Sequence, residues 1–171
     1  MRFLTGFILG IILIPVVVYC YFRFGYAPVA TAASPIPFEK TLAHMGLDAQ
    51  IEKYAPKSAP FQASVADLEN GAHLYRQNCA FCHGIMDAEK PPAAKGMYPA
   101  PPLLLHGKGV TDDPPGETYW KVANGIRLTG MPAYGHSMSD HEMWQISLLL
   151  AGADKLPAEV QSLLKQPLHS D

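Results

Sequence analysis

The sequence is short of cysteine and of charge. Only three of its 171 residues are cysteine and 16% are charged, with a formal net charge of -2 at pH 7. Three cysteines, of which Cys20 lies inside an apolar run, make no disulfide framework. A near-neutral balance gives no electrostatic footprint for nucleic acid. There is no glycine-rich nucleotide motif, no nucleophile elbow and no pair of cysteine pairs for zinc. Enzymatic chemistry of its own has little support in the sequence, and no small-molecule substrate is expected. Beyond residue 64 nothing alternates between apolar and polar as a strand would, which predicts an all-α domain.

What the chain has first is apolar length. Phe3 to Phe22 is free of charge over 20 residues, and at about 1.5 Å per residue such a helix spans the roughly 30 Å hydrocarbon core of a bilayer. Residues 1–24 are read as an N-terminal anchor crossing the bilayer once through residues 3–22. Pro15 removes one helix hydrogen bond, which membrane helices tolerate. The alternative is a cleaved signal peptide with Ala30-Thr31-Ala32 as its small-x-small site; the run is long for that, and Arg23 interrupts the approach. Cys20 reads as an apolar membrane side chain, because bulky Tyr19 stands where lipidation signals want a small residue.

Residues 25–63 turn to Ala, Pro and Ser, and Pro28, Pro35, Pro37, Pro56 and Pro60 break any long helix. This stretch is the expected tether. Within it Leu47, Ile51 and Tyr54 recur at i, i+4, i+7 and predict one or two amphipathic turns. As a flexible coil its 39 residues would hold their ends about 35 Å apart, enough to let the following domain swing.

That domain opens on Cys79-Ala80-Phe81-Cys82-His83. C-x-x-C-H is the attachment signature of a c-type haem: two thiols about one helical turn apart add to the vinyl groups, and the adjacent imidazole becomes an axial ligand of the iron. A thioredoxin-like pair or half a zinc site is the competing reading of C-x-x-C alone; His83 argues against the first and the lack of a second pair against the second.

Three helices surround the motif. Residues 64–78 run into Cys79 with Ser64 or Asp67 as cap and Leu68, Gly71, Ala72 and Tyr75 on one stripe. Gly71 costs roughly 1 kcal/mol inside a helix, so either another helix approaches closely there or the glycine is merely exposed and tolerated. Ser139 to Leu150 carries a capping box in Ser139 and Glu142, a core face of Met143, Ile146, Leu149 and Leu150, and Gly152 as its stop. Trp144 reads as packing. Asp113-Pro114 opens a third helix that ends at Gly125.

Gly71, Tyr75, Cys79, Cys82 and His83 resemble the Gly-x-x-x-aromatic-x-x-x-Cys-x-x-Cys-His pattern of class I cytochromes c. The resemblance covers about residues 64–156 and implies the class I cytochrome c fold. It implies that the first and last helices cross at Gly71, with Leu149 as the facing residue. Tyr98-Pro99-Ala100-Pro101-Pro102-Leu103 resembles the family's proline loop, in which a backbone carbonyl accepts from the proximal imidazole; Pro101 is the best match and Pro99 the reserve. Trp120 to Pro132, ending Gly130-Met131-Pro132, is similar to the distal half of bacterial monohaem members. Residues 64–157 are therefore the expected haem domain with one covalent haem c, and residues 158–171 a C-terminal tail.

His83 is the expected proximal metal ligand and Met131 the distal one. Met131 lies in a loop 48 residues beyond His83, a separation that lets the chain cross to the opposite haem face. Met86 is too near His83, and Met143 belongs to a helix core. Met97, Met138, His106 and His136 remain alternatives, and Met131 could also be a loop methionine merely packed on the porphyrin. Tyr98, Leu103, Leu104, Trp120 and Ile126 are the expected wall, each equally readable as ordinary core. Arg127 is expected either at a propionate or in solvent. His/Met ligation leaves no open iron position, which points to electron transfer rather than ligand binding or peroxidatic chemistry.

By resemblance to bacterial cytochromes matured outside the cytoplasmic membrane, the haem domain is expected in the periplasm, although Arg2 and Arg23 alone set the charge bias weakly. The expected function is a membrane-tethered carrier of single electrons in a respiratory or dehydrogenase chain, with redox proteins as partners. The alternative is a haem subunit docked permanently in an oxidoreductase complex of terminal-oxidase or alcohol-dehydrogenase type.

Overall fold

The computed structural model describes residues 2–105 and 113–168, and among these residues eight helices and no strand occur. Two units divide the chain, Met1–Lys40 and Thr41–Asp171.

The first unit is dominated by α1 (Arg2–Arg23). Its Gly6–Arg23 stretch has a mean hydropathy of 2.0 and no buried residue, so it is long and apolar enough to cross a membrane. The helix ends in a Schellman arrangement: Gly25, at φ +76°, donates its N–H to the Phe22 carbonyl at 3.2 Å, and Tyr26 donates to Tyr21 at 3.1 Å. Two terminal carbonyls are thereby satisfied without a partner element.

The second unit holds α2 (Glu39–Tyr54) for nearly all of its length, then α3 (Val65–Asn78), α4 (Ala80–His83), α5 (Pro92–Lys95), α6 (Pro115–Asn124), α7 (Asp140–Ala151) and α8 (Ala158–Lys165). Both expected caps form. Ser64 and Asp67 bond reciprocally at the start of α3, as do Ser139 and Glu142 at the start of α7. α7 is the central element, packing on α3 and α6, while α8 lies on α3. Tyr75, Met143, Ile146, Leu149, Val160 and Leu164 are fully buried in the core they share.

α3 and α7 meet at Gly71, where a Cβ would lie 2.6 Å from the carbonyl oxygen of Gln145. The facing residue is thus Gln145, through its backbone, rather than the expected Leu149. A missing Cβ admits the closest approach of two helix backbones, and Leu149, one turn further, puts its side chain into the core instead. Polar groups complete the crossing: Gln145 donates to Asp67 at 2.9 Å and accepts from Asn70.

The ends of this unit differ from the sequence reading. Residues 158–165 are not a trailing tail but a helix whose Val160 and Leu164 are fully buried. Each such burial stabilises by about 1.5–3 kcal/mol. Arg76 of α3 donates to the carbonyls of Leu163, Gln166 and Pro167, satisfying the free end of α8. Ahead of the domain, α2 spans 16 residues where one or two turns were expected. The chain leaving α2 is packed: Ile51 and Ala55 are buried, and the Pro56 carbonyl lies where a Cβ on Gly116 of α6 would stand. Upstream of Leu47 the helix runs on through the good helix formers Glu39, Lys40, Leu42, Ala43 and Met45, and Glu39 accepts from the Ile36 N–H at 2.9 Å at the helix start.

Candidate functional site

The motif Cys79–His83 folds as a single tight turn. Cys82 and His83 both donate their backbone N–H to the Cys79 carbonyl, at 3.1 and 2.9 Å, which makes Cys79 at once the end of α3 and the cap of α4. The three side chains are thereby held within one turn. Burial, followed by the neighbouring Cys82, pushes the Cys79 thiol up to about 12. A disulfide-exchanging pair needs a depressed thiol pKa, so this environment disfavours the thioredoxin-like reading. All three cysteines are free.

His83 is oriented by one bond. Its Nδ1 lies 2.7 Å from the carbonyl oxygen of Pro102. A carbonyl only accepts, so Nδ1 carries the proton and the Nε2 lone pair is left for a metal. The acceptor is Pro102, not the expected Pro101 or its reserve Pro99. In a run of neighbouring prolines the motif does not say which carbonyl turns inward, and only the loop path decides it. Burial pulls the imidazole below its ordinary pKa, with the Pro102 bond opposing, so the ring is a neutral ligand at physiological pH.

Around this turn, the Tyr75 hydroxyl donates to the Gly84 carbonyl at 2.8 Å, and Leu103 rests its Cδ2 against Gly84. Met86, two residues on, donates its N–H to Leu164 of α8 at 3.1 Å, and Lys165 pairs with Asp87 at 2.8 Å. Tyr75 and α8 brace the chain leaving His83. Neither role was visible in the sequence; Tyr75 was legible only as a buried aromatic.

Met131 sits half-buried against the core, on a loop whose backbone is fixed from both sides. Its N–H donates to Thr129 Oγ1 at 3.1 Å, Thr129 in turn donates to the Ile126 carbonyl at 2.7 Å, and Ile126 donates to the Met131 carbonyl at 3.2 Å. Beyond it, Tyr134 and Gly135 donate to the last α6 carbonyls, Val122 and Ala123, at 3.0 and 3.1 Å. Met97 lies against this loop, its methyl 1.9 Å from where a Cβ on Gly130 would stand. Met86 and Met143 are buried in the core, Met138 is half-buried against it, and Met45 is exposed on α2. His136 is exposed, and His106 lies outside the described residues.

Of the remaining expected site residues, Trp120, Leu104, Ile126 and Pro101 are half-buried, while Tyr98 and Arg127 are exposed. Tyr134 was missed altogether. Its hydroxyl donates at 2.9 Å to the carbonyl of Asn78, the residue before Cys79. Burial, then the nearby Cys79 and Cys82, holds this phenol above its ordinary pKa, so it remains a donor. No sequence signal links two positions 56 apart.

The donor set fits a haem. Two thiols on one turn and an imidazole with a free Nε2 match covalent attachment plus one axial bond. Among the described residues no cluster of three or more His, Cys, Asp or Glu could hold a bare metal ion.

Residues 66–149 match the family model described as cytochrome C oxidase, cbb3-type, subunit III. The matched stretch runs from the first turn of α3 into the last turn of α7 and leaves α1, α2 and α8 outside. No curated protein matches the chain.

Proposed function

We propose, on the match of residues 66–149 to the cbb3-type subunit III family model, that this chain is a membrane-tethered c-type cytochrome with covalently bound haem c that passes single electrons between redox proteins, with its haem domain on the periplasmic side. The observation that carries the reading is the attachment turn, with Cys79 and Cys82 on one turn and His83 held by Pro102 at 2.7 Å. Bound haem supplies a one-electron iron couple. Cys79 and Cys82 hold it covalently, His83 presents Nε2 and Met131 presents its thioether from the opposite loop. The Pro102 carbonyl fixes the ring plane of His83 and raises its basicity. A neutral imidazole from His83 and a neutral thioether from Met131 would favour the less charged ferrous form and raise the potential.

The apolar α1 supports anchoring, and the aromatic cluster Tyr19, Tyr21, Phe22, Phe24 and Tyr26 at its end suits a membrane interface. A second reading, a subunit held in an oxidase complex, is favoured by the packing of Pro56, just after α2, on Gly116 of the haem domain. That contact removes much of the length through which a carrier would swing, leaving the 15 residues 24–38 between α1 and α2, whose coil reach is about 20 Å.

The test is attachment. The double variant Cys79→Ala, Cys82→Ala should abolish covalent haem staining at the full-length mass on a denaturing gel, because Cys20 is the only other thiol. Stain that persists there would refute the assignment.

A further inference from the structure

We infer that Tyr134 is a positioning residue that latches the Met131 loop to the haem-attachment helix. Two chain segments have to face each other for the site to work: the attachment turn that starts at Cys79, and the loop that carries Met131. The loop is closed on itself by the Ile126 bond to Met131 and tied to α6 by backbone bonds from Tyr134 and Gly135, but those bonds fix it only to the helix it leaves. Tyr134 goes further. Its side chain leaves the loop three residues after Met131, packs against the core, and ends 2.9 Å from the Asn78 carbonyl. That carbonyl belongs to the last residue of α3, so its own helix offers it no N–H. The bond thus ties the Met131 loop to the residue directly before Cys79.

The geometry favours a positioning role over a purely stabilising one. Asn78 is exposed, so losing the phenol lets water satisfy its carbonyl, and the fold loses little. The loop loses the side-chain bond that ties it to the residue next to Cys79. Tyr119 supplies the contrast, since its hydroxyl donates to Asp140 at 2.8 Å and joins α6 to α7 without touching the loop.

The inference rests on the reading of Met131 as distal ligand, and the experiment separates the two. The full-length haem-loaded protein in detergent, with its Tyr134→Phe, Tyr119→Phe and Met131→Ala variants, is titrated with imidazole while the sulfur-to-iron absorption band is followed. One hydrogen bond of ordinary net strength corresponds to about a fivefold change in an equilibrium. Tyr134→Phe should therefore keep the band but lose it to imidazole at about fivefold lower concentration, while Tyr119→Phe matches the parent. A parent-like titration in Tyr134→Phe, or an equal shift in Tyr119→Phe, would overturn the latch while leaving Met131 as ligand. A parent without the band, or a Met131→Ala variant that retains it, would overturn the ligand assignment and the latch with it.

Discussion

At the scale of the residue, the site depends on small polar bonds that set the direction of larger groups. Pro102 does this for His83, and Thr129 and Ile126 do it for Met131. Replacing the thioether should therefore change the iron's properties without disturbing attachment. Met131→His is expected to remove the sulfur-to-iron band and lower the midpoint potential, because imidazole donates more strongly to ferric iron, while haem staining is retained. An unchanged band and potential would move the ligand role to Met97 or Met138. A second residue effect concerns acid stability. The Ser64 hydroxyl, then Gln145, then the Ser64 backbone hold the Asp67 carboxyl well below the usual carboxylate range. A carboxylate with a depressed folded-state pKa stabilises fully above its unfolded value of about 4 and loses that contribution as pH falls below it. The stability gap between parent and Asp67→Asn, followed by denaturant unfolding, should be constant above about pH 5 and shrink below about pH 4.

At the scale of the element, α8 shows how a segment outside the matched domain supports the site. It buries Val160 and Leu164 on α3, takes three bonds from Arg76, and supports the chain just after His83 through Met86. Arg76→Ala should cost about 1.5–3 kcal/mol in unfolding free energy, the range for hydrogen bonds made by a charged group. Amide exchange should accelerate first in residues 158–165. A loss below about 0.5 kcal/mol would mean that burial of Val160 and Leu164 alone holds α8 in place. The reason α8 escaped the sequence reading is its length: eight residues make about two turns, too few for the spacing of Val160, Leu163 and Leu164 to stand out from a tail. The reverse holds for α3 and α7, whose capping boxes and apolar stripes were legible because cap and stripe are local features.

At the scale of the whole molecule, the question is how freely the haem domain moves. A free carrier and a docked subunit share every residue of the site and differ in the company they keep. If the domain is a subunit, purification of the full chain from native membranes in mild detergent should bring a stoichiometric integral-membrane partner, and Gly116→Val, which puts a side chain where the Pro56 carbonyl lies, should weaken that association by freeing α2. Recovery of the chain alone, with electron donation to soluble acceptors intact, would favour the carrier.

The sequence alone determined the covalent chemistry and the local elements. Cys79, Cys82 and His83 are adjacent in the chain, so their spacing fixes what they can bind, and an apolar run of 20 residues declares its own length whatever surrounds it. Tertiary structure decided which carbonyl meets His83, which backbone meets Gly71, that residues 158–165 pack rather than trail, and that Tyr134 reaches Asn78. Each of these pairs groups far apart in the chain or chooses among near-identical neighbours, as with Pro99, Pro101 and Pro102. Distance along a chain carries no record of distance in space, and only the packed backbone resolves a choice between carbonyls a few ångströms apart.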